Sequence, residues 1–165
     1  DQKDHVTLLK AMNKLKSKIN FKLLLIGDGS KEKSIKAFVK KNNLGKSIKI
    51  IKNIKNPFPY IIKSNLVLLS SIYEGLPNIL LESIVLKKFI ISSNCPTGPA
   101  EILSNGKGGF LFKVGDFNDL YNKILIFKKK KKYLKSKIIF AQKNLKKFDY
   151  DLNLKKYKKF IDKFI

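Results

Sequence analysis

The chain has 165 residues, 44% of them apolar, and a formal charge of +24, so it is long enough for one domain with a substantial core and too apolar to be disordered. No stretch reaches the run of about 20 apolar residues that crosses a bilayer, and a single cysteine excludes an internal disulfide or a thiolate metal cluster. All 36 basic residues are lysine, so the charge lacks the arginine that reads phosphates and bases bidentately; a solvated or membrane-facing cation surface fits it better than a nucleic-acid site.

In chain order, residues 5–19 carry Leu8, Leu9, Met12, Leu15 and Ile19 at helical spacing. Residues 21–27, "FKLLLIG", read as a buried strand. Residues 30–45 read as a helix with Ser30 as N-cap and Gly45 beyond its end, and 47–51 as a strand. A short helix over 56–64 opens with Asn-Pro, and 65–70, "NLVLLS", is strand-like. A helix over 77–87 opens on Pro77, 89–93 is a strand, and 98–104 is a helix capped by Gly98. Residues 108–112 form a last strand, and helices follow over 116–128, about 130–147 and 152–164. Strand–helix alternation with unbroken apolar strands predicts an α/β fold, a Rossmann-like parallel sheet between helix layers with C-terminal helices. The lysine run in 127–137 reads as a solvated helix surface.

In such sheets, ligands bind beyond the carboxyl ends of the strands. Three stretches arrive there. "GDG" at 27–29 offers a glycine turn, in itself a weak signal. In "SIYEGLPNILLES" (71–83), Pro77 fixes a helix start, and the amides of Asn78, Ile79 and Leu80 form an anion site beside the positive end of the helix dipole. Asn78 and Glu82 share a helix face, and Glu82 leans back toward the mouth that Glu74 borders, with Gly75 permitting close approach. Amides for phosphate and carboxylates for hydroxyls suit a sugar nucleotide. The alternative is that Glu74 is a loop charge and Glu82 a solvent-facing one. In "NCPTGPAEIL" (94–103), Cys95 has no accompanying base and reads as a small buried residue; His5, the only histidine, reads as a surface residue.

The residues "NPFPYIIKSNLVLLSSIYEGLPNILLES…ISSNCPTGPAEIL" resemble the C-terminal domain of retaining glycosyltransferases of family 4, which have the GT-B fold. Glu74 and Glu82 match its Glu-x7-Glu motif, and "LLLIGDGS" and "GGFLF" fall in the family's order. The likeness covers about residues 1–127 as a Rossmann-like domain and extends more loosely to helices over 128–165 of the same unit. The "NCPTGP" variant resembles bacterial members that build surface polysaccharide or lipid-linked oligosaccharide. The resemblance implies a donor nucleoside diphosphate sugar, a saccharide or polyprenyl-linked acceptor, and no metal or other cofactor. With one cysteine, a reducing cytoplasm is the default compartment, and the lysine charge suits peripheral contact with anionic lipid at the inner face of the membrane.

By the same resemblance, Glu82 binds the ribose hydroxyls, Glu74 contacts the transferred sugar, and Lys3 neutralises the diphosphate. Backbone amides of the stretch Gly75, Leu76, Pro77, Asn78 face sugar and diphosphate, Ile79 and Leu80 lie beside the phosphates, and Gly27 and residues 51–54 near the base. An upstream strand and the N-terminal acceptor domain are expected to precede residue 1. Lys87 stands where the family has a glycine past a helix end, at some cost in stability. Two other classes remain open: a sugar-nucleotide-binding module without catalysis, and a basic polyanion or membrane-surface module.

Overall fold

The computed structural model describes residues 2–164, with the backbone alone at 131 and 132. Five parallel strands alternate with helices. Strand β1 (Leu23–Ile26) pairs with β2 (Ile48–Ile51), Leu23 standing opposite Ile48. Strands β3 (Leu66–Leu69), β4 (Phe89–Ser93) and β5 (Phe110–Phe112) form a second sheet with β4 in the middle. The expected single sheet is therefore two sheets, because among the described residues neither β1 nor β3 has a second hydrogen-bonded neighbour.

One core nevertheless holds both sheets. Leu23, Leu25, Ile48 and Ile50 share a cluster with Leu66, Leu68, Phe89, Ile91, Phe110 and Phe112. The helices α1 (His5–Leu15) and α6 (Phe117–Lys129) cover that face. The alternate residues Val67, Leu69, Ile90 and Leu111 face a second cluster with α4 (Asn78–Val85) and α5 (Pro99–Ile102). Strand β4 is buried throughout, as an apolar strand between two helix layers should be. Burying its three apolar side chains, Phe89, Ile90 and Ile91, contributes about 5–9 kcal/mol of transfer free energy. The remaining helices are α2 (Glu32–Lys41), α3 (Phe58–Lys63), α7 (Lys131–Asn144) and α8 (Tyr150–Ile161), with a 3-10 turn over Leu145–Phe148. Helix α7 spans the layers, with Leu134 in the first cluster and Ala141 in the second.

Several boundaries differ from the sequence reading, each for a local reason. Helix α1 stops at Leu15, where the amides of Lys18 and Ile19 fold back onto the Leu15 carbonyl. Ser30 does not cap α2; the Glu32 amide donates to the Gly29 carbonyl, so the chain makes one more turn and Lys31 takes the cap position. That helix ends on Asn43 at φ 51°, not on Gly45, and the Leu44 amide reaches back to Val39. Asn tolerates the left-handed region better than other side chains, so it takes the terminating position two residues early. Asp149 caps α8 by accepting from the Leu152 amide at 2.9 Å, so the helix opens at Tyr150, two residues before the expected start.

Candidate functional site

The carboxyl end of β3 leads through Ser70–Pro77 into α4. Pro77 fixes φ and donates no amide, so the chain enters the helix pre-set. The Leu80 amide is taken by the Pro77 carbonyl at 2.9 Å. This corrects the expectation for Leu80: its N–H closes the first turn and is not offered to a ligand. The amides of Gly75, Leu76, Asn78 and Ile79 have no hydrogen-bond partner among the described residues. Asn78 and Leu76 are exposed, Ile79 half-buried, Leu80 fully buried. An N-terminus of this kind attracts anions through its free donors and its dipole.

Glu74 stands on the loop before it, its side chain only 8% exposed. One carboxylate oxygen, Oε1, accepts from Lys3 Nζ at 2.6 Å and from Ser71 Oγ at 2.5 Å. Oε2 has no protein donor among the described residues, which leaves it as an acceptor for a ligand hydroxyl. Lys3 is half exposed and spends one of its three donors on Glu74. Lys3 is delivered by the residues before α1. The Ser70 hydroxyl donates to the Lys3 carbonyl, the Ile72 amide to the Gln2 carbonyl at 2.8 Å, and Gln2 Nε2 to the Tyr73 carbonyl. Asp4, in left-handed conformation, then caps α1 by accepting from the Thr7 amide.

Glu82 lies one turn into α4, half-buried; its carbonyl accepts from the Leu86 amide at 3.0 Å, and its carboxylate has no hydrogen bond or ion pair to Glu74 or to any other described residue. The structure thus brings Lys3 and Glu74 together directly and leaves Glu82 as an unpaired carboxylate on the helix that also carries the free amides. Gly27 follows β1 at φ 134°, its amide extending the ladder to the Ile51 carbonyl at 3.0 Å. Beside it, Lys52 and Lys36 both pair with Glu32, and these lysine hydrogen bonds hold the Glu32 carboxyl below its ordinary range.

Gly75 was expected to permit close approach between the two carboxylates. An added Cβ there meets nothing within 4 Å, and the restrictive glycine is Gly98. Gly98 has φ 86° and ψ −71°, and a Cβ on it would overlap the Gly75 carbonyl and stand 2.6 Å from Pro77 Cδ. The neighbouring Thr97 hydroxyl donates to the Glu74 carbonyl. Below them the buried Ser93 hydroxyl donates to the Ser71 carbonyl at 2.6 Å. The loop after β4 therefore clamps the Glu74 loop from beneath. Sequence reasoning missed Ser71, Ser93, Thr97 and Gln2; the signal was a pair of serines closing each of two apolar strands. Cys95 is buried in this loop, and burial pushes its thiol up, the setting of an unreactive packing residue. His5 is half-buried, and burial lowers its pKa. An open cleft of about 370 Å³ lined by Asn94, Leu111, Phe112, Lys113 and Val114 contains none of the expected site residues. Among the described residues no cluster of His, Cys, Asp or Glu could hold a metal ion, and no helix is long and apolar enough to cross a membrane.

The start of α4 and the Lys3–Glu74 pair lie beyond the carboxyl end of β3, the place where open parallel α/β sheets receive ligands. The family model described as "Glycosyl transferases group 1" matches residues 1–147, and the chain belongs to that family. An uncharacterised glycosyltransferase of Methanocaldococcus jannaschii is 36% identical over 104 residues, 62% of this chain and 26% of the relative. An N-acetylgalactosaminyltransferase of Campylobacter jejuni, whose name specifies a diphospho-undecaprenol-linked substrate, is 26% identical over 119 residues, 72% of this chain and 32% of the relative. Among solved structures, a mutant of S. aureus TarM in complex with Fondaparinux, alpha-GlcNAc-glycerol and UDP superposes with a TM-score of 0.88 at 21% identity, over 96% of this chain and 33% of that one. The GT-B α/β fold expected from sequence is thereby established. The chain spans 26% to 32% of the length of these two curated relatives.

Proposed function

We propose that this chain is the donor-nucleotide half of a family 4 retaining glycosyltransferase. It would transfer a hexosyl or N-acetylhexosaminyl group from a nucleoside diphosphate sugar to a saccharide or lipid-linked saccharide, in cell-surface polysaccharide or oligosaccharide synthesis. The observation that carries the reading is the free amide group of Asn78 and Ile79 beside the Lys3–Glu74 pair, an anion site adjoining a hydroxyl acceptor.

In the reaction, the anomeric carbon loses its bond to the diphosphate oxygen, which departs with the electron pair. The acceptor hydroxyl oxygen bonds to the same face of that carbon, and its proton passes to a donor phosphate oxygen. Charge accumulates on the leaving diphosphate. Lys3 Nζ, with two donors to spare, and the α4 amides stabilise it as fixed dipoles and charge, the electrostatic mode of catalysis. Glu74 Oε2 accepts from a hydroxyl of the transferred sugar, and Glu82 from the ribose. No metal or other cofactor enters this scheme.

The unpaired edges of β1 and β3 support a sheet completed by one more parallel strand from an upstream segment, which would also carry the acceptor domain. The enzyme would work in the cytoplasm, at the inner face of the membrane that holds a polyprenyl-linked acceptor. Isothermal titration of the chain with UDP, GDP and their sugar conjugates, at low and high salt, tests the reading. Saturable binding of one nucleotide is expected, weakened by Glu82→Ala by about 1–3 kcal/mol, roughly 5- to 150-fold in Kd. Glu74→Ala should weaken the sugar conjugate and leave the free nucleotide nearly unchanged. Equal, salt-sensitive binding of every polyphosphate, indifferent to Glu82→Ala, would sink the proposal.

A further inference from the structure

Two serines follow strand β3, and each holds one member of the Lys3–Glu74 pair. Ser70 Oγ donates to the Lys3 carbonyl at 2.7 Å, and Ser71 Oγ to Glu74 Oε1 at 2.5 Å. Both serines are buried, Ser71 completely. The Ser71 backbone is fixed in turn. Its carbonyl accepts from Ser93 Oγ at 2.6 Å, and the next amide, that of Ile72, donates to the Gln2 carbonyl at 2.8 Å. The Ser71 hydroxyl therefore reaches Glu74 from inside the fold, from a backbone tied on two sides.

The two donors to Glu74 Oε1 are not equivalent. Lys3 is half exposed, sits on a long side chain and carries three donors. In the reaction proposed above it also serves the leaving diphosphate, so a bound donor substrate places it between two anions. Ser71 has a single donor, already directed at Glu74, and no surface open to a ligand. Once a diphosphate competes for Lys3, Ser71 is the group left to hold the carboxylate. The last torsion of a glutamate side chain is broad, so a carboxylate without such a bond swings over many orientations. A fixed hydrogen bond on Oε1 stops that rotation and aims Oε2.

We propose that Ser71 is a positioning residue for the donor sugar: its hydroxyl locks the Glu74 carboxylate so that Oε2 accepts from one hydroxyl of the transferred sugar. This role rests on the donor-site reading above and names the residue that makes that site selective. Ser71 itself touches neither nucleotide nor sugar.

The test is isothermal titration of the full-length protein with UDP, GDP, UDP-glucose, UDP-N-acetylglucosamine and GDP-mannose. The quantity read is the ratio of conjugate affinity to free-nucleotide affinity, which a general loss of fold does not move. Ser71→Ala should lower that ratio by about 3- to 10-fold, because the carboxylate must then be ordered on binding. Lys3→Met, by contrast, should weaken both forms together. In a Glu74→Ala background, Ser71→Ala should lower the ratio no further, since the hydroxyl has lost the group through which it acts. Ser71→Cys, close in size and a weak donor, should fall between Ser and Ala.

An unchanged ratio in Ser71→Ala overturns the proposal. So does a loss that adds in full to that of Glu74→Ala, since Ser71 would then only support the loop. If Glu74→Ala itself leaves the ratio unaltered, Glu74 reads no sugar, and the proposal falls while the nucleotide site stands. Absence of saturable nucleotide binding by the parent protein would sink the donor-site reading, and the role of Ser71 with it.

Discussion

Gly98→Ala is the substitution that most directly tests how the site is held. Gly98 sits at φ 86°, ψ −71°, a region that side chains with a Cβ avoid. Forcing alanine there costs about 1–3 kcal/mol in backbone strain. The new methyl would also overlap the Gly75 carbonyl and press on Pro77 Cδ at 2.6 Å, neither of which is a flexible side-chain end. Overpacking of this kind adds roughly 1–3 kcal/mol. Together the change should destabilise the fold by about 3 kcal/mol. With a urea slope near 2 kcal/mol/M, that moves the unfolding midpoint down by about 1.5 M. The matched control is Gly75→Ala, where the added Cβ meets nothing and φ is not left-handed, so the loss should stay below about 1 kcal/mol. Equilibrium urea unfolding followed by circular dichroism measures both. Equal midpoints for the two variants would refute the argument that the loop after β4 supports the Glu74 loop through glycine at this position.

Lys87 points the other way. It holds φ 57° past the end of α4, while its amide donates to the Ile84 carbonyl and the Lys88 amide to Ser83, so a side chain occupies a position suited to glycine. Lys87→Gly should raise stability by about 1 kcal/mol, seen as a higher Tm, since relieved left-handed strain outweighs the added chain entropy. The histidine supplies a pH dependence. Burial lowers the pKa of His5 in the folded chain, so the folded state binds its proton less readily than the unfolded one. Stability from this group is therefore complete above its ordinary pKa near 6.5 and falls as pH drops below it. Thermal melts from pH 7.5 to 5.5 should show that decline, and His5→Asn should flatten it.

Much of the architecture was legible because it is written locally. Each strand is an apolar run, and alternate residues of β4 reach opposite clusters, Phe89 and Ile91 to one and Ile90 to the other. Pro77 and Pro99 mark helix starts for a reason internal to proline. Lateral pairing is not local, so the division into two sheets did not follow from the runs. Nor did the end of α2, where Asn43 and Gly45 both qualify by residue type and only the bond from Leu44 to Val39 decides.

The site divides along the same line. Glu74, Glu82 and the start of α4 are visible as a spacing within one segment. What orients them comes from elsewhere in the chain: Lys3 from 71 residues upstream, Thr97 from 23 downstream, and Ser93 across 22 to Ser71. A single loop glutamate with a half-exposed lysine would be a surface ion pair worth about 0–1 kcal/mol. Here one carboxylate oxygen is held by two donors, and the loop backbone is pinned by a hydroxyl and by the packing of Gly98. The free oxygen of Glu74 is thus fixed in direction before any ligand arrives. That is the condition under which a single hydrogen bond selects one hydroxyl over another, because little ordering remains to be done on binding. It follows that substitutions at Thr97 and Ser93, which touch no ligand in this scheme, should blur discrimination between sugar donors more than they weaken the nucleotide.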